Sequence, residues 1–255
     1  MIKIQYASDL HLEFAENSHF LKENPIKPIG DVLVLAGDTG YLGDQNYSVH
    51  PFWDWASDNF KQVIVCLGNH EFYKYYDLAS LADGTDVAIR PNVHYYYNKV
   101  VHVEDVDIII STLWSHIDAH NAFMTERRVS DFHRIMYHDN MLDWQHFNSE
   151  HTRCLQFIKE AVGKSQARKK VVVSHHVPSF SLMSPEFDGS AINGAFTVEL
   201  SDYIEHSGID CWIYGHSHRN INKLIGNTWC VCNQLGYVSH NEHTDFKDDA
   251  VIEQW

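Results

Sequence analysis

The chain has 255 residues, 44% of them hydrophobic, enough to bury a full core within one large α/β domain. Its 19 Lys plus Arg stand against 34 Asp plus Glu, a formal net charge of −15, which argues against a nucleic-acid groove or an anionic membrane surface as the main partner. No run approaches the ~20 apolar residues of a membrane span, and Asp9 and His11 come too early to leave a secretory signal core, so a soluble, cytoplasmic protein is expected. The five cysteines, Cys66, Cys154, Cys211, Cys230 and Cys232, are odd in number and lack Cys-x-x-Cys spacing, which predicts free thiols, with Cys230 and Cys232 as neighbours on one face of a strand.

In chain order, Ile2-Lys3-Ile4-Gln5-Tyr6-Ala7 alternates as a strand does and runs into Ser8-Asp9-Leu10-His11. Asp-x-His puts a hard carboxylate oxygen and an imidazole close enough to hold one divalent ion, although an Asx turn would account for Asp9 alone. The apolar run from Asp31 to Ala36 also ends in a glycine and an acid, Gly37-Asp38. A helix around Phe52 to Phe60 leads into Val63-Ile64-Val65-Cys66-Leu67, and this third strand delivers Gly68-Asn69-His70-Glu71. The glycine allows a sharp turn that gathers the next side chains at the carboxyl end of the strand, the edge where open α/β sheets place their chemistry.

Residues 73–90 read as helix and loop, stopped by Pro91. Tyr95–Tyr97, Val100–Val103 and Val106–Ile110 suggest short strands in an antiparallel meander. The stretch from Trp114 to about Leu142 is the longest irregular segment and reads as a lid or cap excursion. Its Arg127, Arg128 and Arg134 are the candidate grips for phosphate or carboxylate, because the guanidinium fork matches those groups. A helix is expected from about Asp143 to Gly163. Val171-Val172-Val173 then leads to Ser174-His175-His176, with His175 as the ligand and His176 as a candidate substrate contact. A second helix is expected over Phe196 to His206, followed by a buried strand from Ile209 to Tyr214 ending in Gly215-His216-Ser217-His218. Residues 221–225 and 229–232 form a closing hairpin across Gly226-Asn227.

The strand ends together supply Asp9, His11, Asp38, Asn69, His70, His175, His216 and His218. Hard oxygens mixed with imidazoles suit Mn, Fe, Zn or Ni better than Mg or Ca alone. The donors are too many for one ion and suit two, which a carboxylate can bridge at a separation of ~3.5–4 Å.

The ordered set Asp9-x-His11, Gly37-Asp38, Gly68-Asn69-His70-Glu71, His175 and Gly215-His216-x-His218 resembles the calcineurin-like metallophosphoesterases over positions 9 to 218. The resemblance implies a single domain over residues 1–255, built as a four-layer α/β/β/α sandwich of two mixed sheets flanked by helices. It implies two divalent transition-metal ions, one on Asp9, His11 and His218 and the other on Asn69, His175 and His216, with Asp38 between them. It also implies in-line attack on phosphorus by a hydroxide bridging the ions, with His70 protonating the leaving alkoxide. The Asp-Arg pair that the family's phosphoprotein phosphatases carry after Gly-Asp is absent from Gly37-Asp38-Thr39-Gly40-Tyr41-Leu42, which turns the expectation toward a small or nucleotide-like phosphomonoester or phosphodiester. That absence also leaves the partner of His70 to be found. The rival from another class is a non-catalytic binding module on the same fold; such modules lose ligands or the acid, and every one is present here.

Overall fold

The computed structural model describes residues 2–252. Strand β1 (Ile4–Ala7) is followed by helix α1 (Ala15–Glu23), β2 (Val32–Ala36), α2 (Pro51–Asn59) and β3 (Gln62–Cys66). The three strands lie parallel, Ile4 opposite Val32 and Val32 opposite Gln62, so their carboxyl ends open at one edge. Pro51 at the start of α2 removes an amide with no helical acceptor, and the His50 ring accepts from Phe52 N–H to cap the turn.

Residues 73–90 depart from the expected helix and loop. They end in β4 (Thr85–Arg90), which pairs antiparallel with β5 (Val93–Tyr97), itself parallel to β3. β4 is the sheet's edge, and its half-exposed Thr85-Asp86-Val87-Ala88-Ile89-Arg90 lacks the apolar run that betrays an inner strand. The expected meander is also divided. β5 completes the first sheet, whereas β6 (Lys99–Val103) and β7 (Val106–Ile110) form a hairpin in the second. The corner is Asn98, at φ 46°, whose side chain accepts from Ser111 Oγ at 2.6 Å.

Residues 114–142 hold two short helices, α3 (Ala122–Arg128) and α4 (Asp131–Arg134), and a small hairpin of β8 (Met136–Tyr137) and β9 (Asn140–Met141). Trp114, Ile117, Val129, Phe132, Ile135 and Leu142 bury a core of their own against Phe72 and Phe147. Helix α5 (Trp144–Lys164) starts where Asp143 accepts from His146 N–H and runs through Gly163 to Lys164, so that glycine lies inside its last turn.

β10 (Lys169–Val173) follows. The second expected helix is shorter than 196–206, being α6 (Ser201–His206), because Phe196 and Val198 give their backbone groups to Val177. The chain closes with β11 (Cys211–Ile213), β12 (Lys223–Ile225) and β13 (Thr228–Val231), and the last two form the expected hairpin with Ile225 opposite Thr228. The second sheet has the order β12-β13-β11-β10-β7-β6.

The two-residue period of the strands sorts their side chains into layers. Ile4, Tyr6, Val34 and Ile64 face Ile108, Val171, Cys211 and Val231 between the sheets. Leu33, Leu35, Val63 and Val65 face outward onto Leu21, Trp53 and Ala56 of α1 and α2. Ile109, Val172, Trp212 and Cys230 pack outward on Ile158, Val162 and Ile204 of α5 and α6. The result is a four-layer α/β/β/α sandwich. All five cysteines are buried and free, with Cys230 and Cys232 in the same outer core. No helix among the described residues is long and apolar enough to cross a membrane. Just past the ends of β1 and β13, Ser8 pairs with Gln234 beside the first motif residue, Asp9.

Candidate metal centre

The residues leaving the strands adopt a backbone that side chains normally avoid. Asp9 (φ 54°), His11 (φ 47°), Asp38 (φ 53°), His216 (φ 76°) and His218 (φ 50°) all lie in the left-handed region. Each such residue costs on the order of 1–2 kcal/mol, and strain of this kind gathers at functional sites. These turns, with the strand ends that carry Asn69 and His175, bring Asp9, His11, Asp38, Asn69, His175, His216 and His218 into one cluster. Two glycines allow the approach. A Cβ on Gly37 would sit 2.4 Å from His175 Nδ1, and one on Gly68 would sit 2.3 Å from Asp38 Oδ1.

The hydrogen bonds fix which atom of each ligand faces inward. His175 Nδ1 donates to Ala36 O (2.9 Å) and His216 Nε2 donates to Ala195 O (3.3 Å), so His175 Nε2 and His216 Nδ1 present lone pairs to each other at 3.1 Å. Asn69 Nδ2 donates to Asp131 Oδ1 (2.8 Å), which turns Asn69 Oδ1 inward to 3.0 Å from His175 Nε2. Asp38 Oδ1 joins this group at 3.3 Å from the same nitrogen.

A second group is built the same way. His218 Nδ1 donates to Glu242 Oε2 (2.7 Å) and His11 Nδ1 to Glu13 Oε1 (3.1 Å), leaving their Nε2 atoms 3.1 Å apart with Asp9 Oδ1 3.4 Å from His218 Nε2. Asp38 Oδ2 lies 3.9 Å from His11 Nε2, so the carboxylate turns one oxygen toward each group. Both groups consist of converging acceptors with no donor among them, an arrangement that only positive charge at their centres can hold together. Protons answer the same demand. Burial disfavours the imidazolium, yet Asp9 and Glu242 pull His218 up to about 10, and Asp38 and Asp9 pull His175 up to about 9. His216, buried beside His175, is pushed down to about 3 and offers a neutral nitrogen. The donor set therefore fits two cations of borderline hardness sharing Asp38.

His70 stands beside these groups rather than within them. Its Nε2 is 4.0 Å from Asp38 Oδ2 and 3.2 Å from Tyr237 Oη, and its ring stacks on Tyr73 at 4.3 Å. The carboxylate of Glu71 lies behind the turn and accepts from the amides of Asp38, Thr39 and Gly68 and from Thr39 Oγ1 at 2.6–3.0 Å. Burial and Asp38 raise Glu71, and those donors oppose the rise.

Four residues around the cluster lie outside the motifs the sequence shows. They are Glu13, which contacts both His11 and His70; Asp131, which orients Asn69; Glu242, which orients His218; and Tyr237, whose ring lies 4.6 Å from those of His11 and His218. Glu13 continues the spacing of Asp9-x-His11 by two more residues, and that was the available clue. Burial works against its charge, but the His11 and His70 imidazoles hold the carboxyl down to about 2.

The cluster opens into a cleft of about 640 Å³ lined by Phe14, Phe187, Phe196, Tyr237, Arg128 and Arg134 among others. Two expected substrate contacts are not on it. Arg127 lies over the Phe123 ring on the other side of α3, because the helical period separates neighbours by ~100°. His176 is fully buried behind His216, at 4.3 Å between ring centroids, which corrects its placement as a substrate contact.

The family model for calcineurin-like phosphoesterase matches residues 2–220. The chain belongs to that family. Among the phosphoesterase-fold structures, the crystal structure of phosphopantetheinyl hydrolase from Mycobacterium tuberculosis superposes with a TM-score of 0.71 at 15% identity, covering 98% of this chain and 95% of the other. A dimetal phosphatase from Danio rerio gives 0.51 at 12% identity over 98% and 91% of the two chains. The uncharacterized protein L509 of Acanthamoeba polyphaga mimivirus is 27% identical over 278 residues, covering 98% of this chain and 96% of that one. These likenesses agree with a phosphoesterase carrying clustered metal-binding residues.

Proposed function

We propose that this calcineurin-like phosphoesterase hydrolyses a small or nucleotide-like phosphate ester at a dinuclear centre. The observation that carries the reading is the pair of acceptor-only clusters joined by Asp38, with a titratable imidazole at their margin. Asp9, His11 and His218 would hold one divalent transition metal, Asn69, His175 and His216 the other, and Asp38 both. When bound, the ions supply Lewis acidity toward the phosphoryl oxygens and the attacking water. The chain's own residues do the rest. His70 carries a proton at Nε2 toward the leaving oxygen, and Tyr237 Oη, at 3.2 Å, steadies that nitrogen.

Arg128 and Arg134 take the distal anionic portion of the substrate. In a chain with 34 acids against 19 bases, neither guanidinium forms an ion pair among the described residues, and both open on the cleft. The aromatic side chains Phe187 and Phe196 provide a surface for a base or another flat group. Residues 114–142 act as one wall and cap of the cleft, since they contribute Arg128, Val129, Ser130, Asp131 and Arg134 to its lining.

The test is a substrate panel run on manganese- and zinc-loaded protein: an aryl phosphate monoester, an aryl phosphate diester, a nucleotide and a phosphopantetheinyl ester, the last after the name of the mycobacterial neighbour. Metal-dependent hydrolysis of at least one class is expected. Metal-loaded protein inert toward all four would instead favour a binding module on the same fold.

A further inference from the structure

We propose that Glu13 is the positioning residue of the proton-transfer histidine, and that its single carboxylate oxygen ties His70 to the candidate metal ligand His11. The inference rests on the phosphoesterase reading above. It supplies the partner of His70 that the region after Gly37-Asp38 does not, since no Asp-Arg pair follows there.

The geometry is specific. Glu13 Oε1 lies 2.8 Å from His70 Nδ1 and 3.1 Å from His11 Nδ1, and the Glu13 side chain is only 4% exposed. Both imidazoles therefore donate through Nδ1 to one oxygen, and both turn Nε2 away from it. His11 Nε2 points into the cluster with His218, and His70 Nε2 points to Tyr237 and the cleft. The second carboxylate oxygen of Glu13 has no partner among the described residues, so the interaction is concentrated on Oε1. Glu13 arrives there through the left-handed turns at Asp9 and His11 and the backbone bonds of His11 and Leu12 to Asp38 and Thr39.

The same three groups are spaced as ligands of a third cation would be. That reading asks His11 to use both ring nitrogens as lone pairs, with Nε2 already among the acceptors facing His218. A neutral imidazole has only one, so the three groups are a hydrogen-bonded chain. A carboxylate placed this way holds the imidazole ring in one orientation, Nδ1 toward Glu13 and Nε2 toward the cleft, as a second-sphere partner orients a metal-bound histidine.

The experiment compares wild type, Glu13→Gln, His70→Ala and the double variant in full-length, zinc-loaded protein. It measures metal per chain, turnover on an aryl ester and on an alkyl ester, and low-field imidazole N–H proton resonances. Glu13→Gln is expected to keep the wild-type metal content and to lose on the order of 10²-fold on the alkyl ester but less than about tenfold on the aryl ester. Once His70 is Ala, adding Glu13→Gln should cost little more on the alkyl ester, because the two side chains act as a unit. One low-field resonance should be missing from both single variants.

Equal losses on the two esters, multiplicative effects in the double variant, or lost metal in Glu13→Gln would overturn the positioning role and leave Glu13 as an anchor of His11. Three ions per wild-type chain would favour the third-cation reading. Wild-type protein inert toward the whole substrate panel above would sink the phosphoesterase reading itself, and Glu13's role with it, whereas an active wild type confines any failure to Glu13.

Discussion

Replacing Asp38 by Asn is expected to reduce turnover by about 10³-fold or more while the protein stays folded. The substitution keeps the shape of the side chain, and Oδ1 can still accept the His70 amide at 2.8 Å. What disappears is the charge, and the two clusters feel its loss unequally. The group of Asp9, His11 and His218 retains Asp9 as an anion, whereas Asn69, His175 and His216 in the other are all neutral ligands. The cation on Asn69, His175 and His216 would lose its only charged donor, so metal content should fall toward one ion per chain. Losing one Lewis acid removes several kcal/mol of charge stabilisation, which sets the expected size of the effect. Metal analysis and circular dichroism on the same sample separate this outcome from unfolding. Asp38→Asn protein with two ions and near wild-type turnover would show that Asp38 does not bridge.

His70→Ala should behave differently. His70 lies outside both clusters, 4.0 Å from Asp38 Oδ2, and the expected variant keeps two ions. Its turnover should fall about 10²–10⁴-fold on a nucleotide or alkyl ester, where the leaving oxygen needs a proton, and far less on a nitrophenyl ester, where it does not. The contrast between leaving groups is the diagnostic, measured as kcat on a graded ester series. A uniform loss across the series would assign His70 to substrate binding, and loss of metal would place it among the ligands.

The candidate site was more legible in the sequence than the fold around it, for a physical reason. Buried parallel strands read as short β-branched runs, and a polar residue next to a glycine at the end of such a run stands out. Val32–Ala36 before Gly37-Asp38 and Gln62–Cys66 before Gly68-Asn69 are of this kind. The exposed edge strand Thr85–Arg90 has no such contrast, so the sequence alone predicts helix and loop there. The change of sheet at Asn98 depends on one left-handed residue and a hydrogen bond from Ser111, which no periodicity reports.

Partners of the candidate ligands were hidden for a related reason. Asp131 reaches Asn69 across 62 positions and Glu242 reaches His218 across 24, through tertiary folding alone. Glu13 was close in sequence, but a glutamate in a loop is ordinary until the turns at Asp9 and His11 are known to keep alternate residues on one side. Arg127 and Arg128 are distinguished only by the phase of a seven-residue helix, Ala122–Arg128, too short to show an apolar stripe.

The most direct test of the dinuclear reading is the metal content of purified wild-type protein after loading with manganese or zinc and removal of excess ion, measured by inductively coupled plasma mass spectrometry. Two ions per chain are predicted, both lost together with ester hydrolysis on chelation and both recovered on re-addition. A chain that holds no ion, or that cleaves esters equally well after complete chelation, would contradict the account.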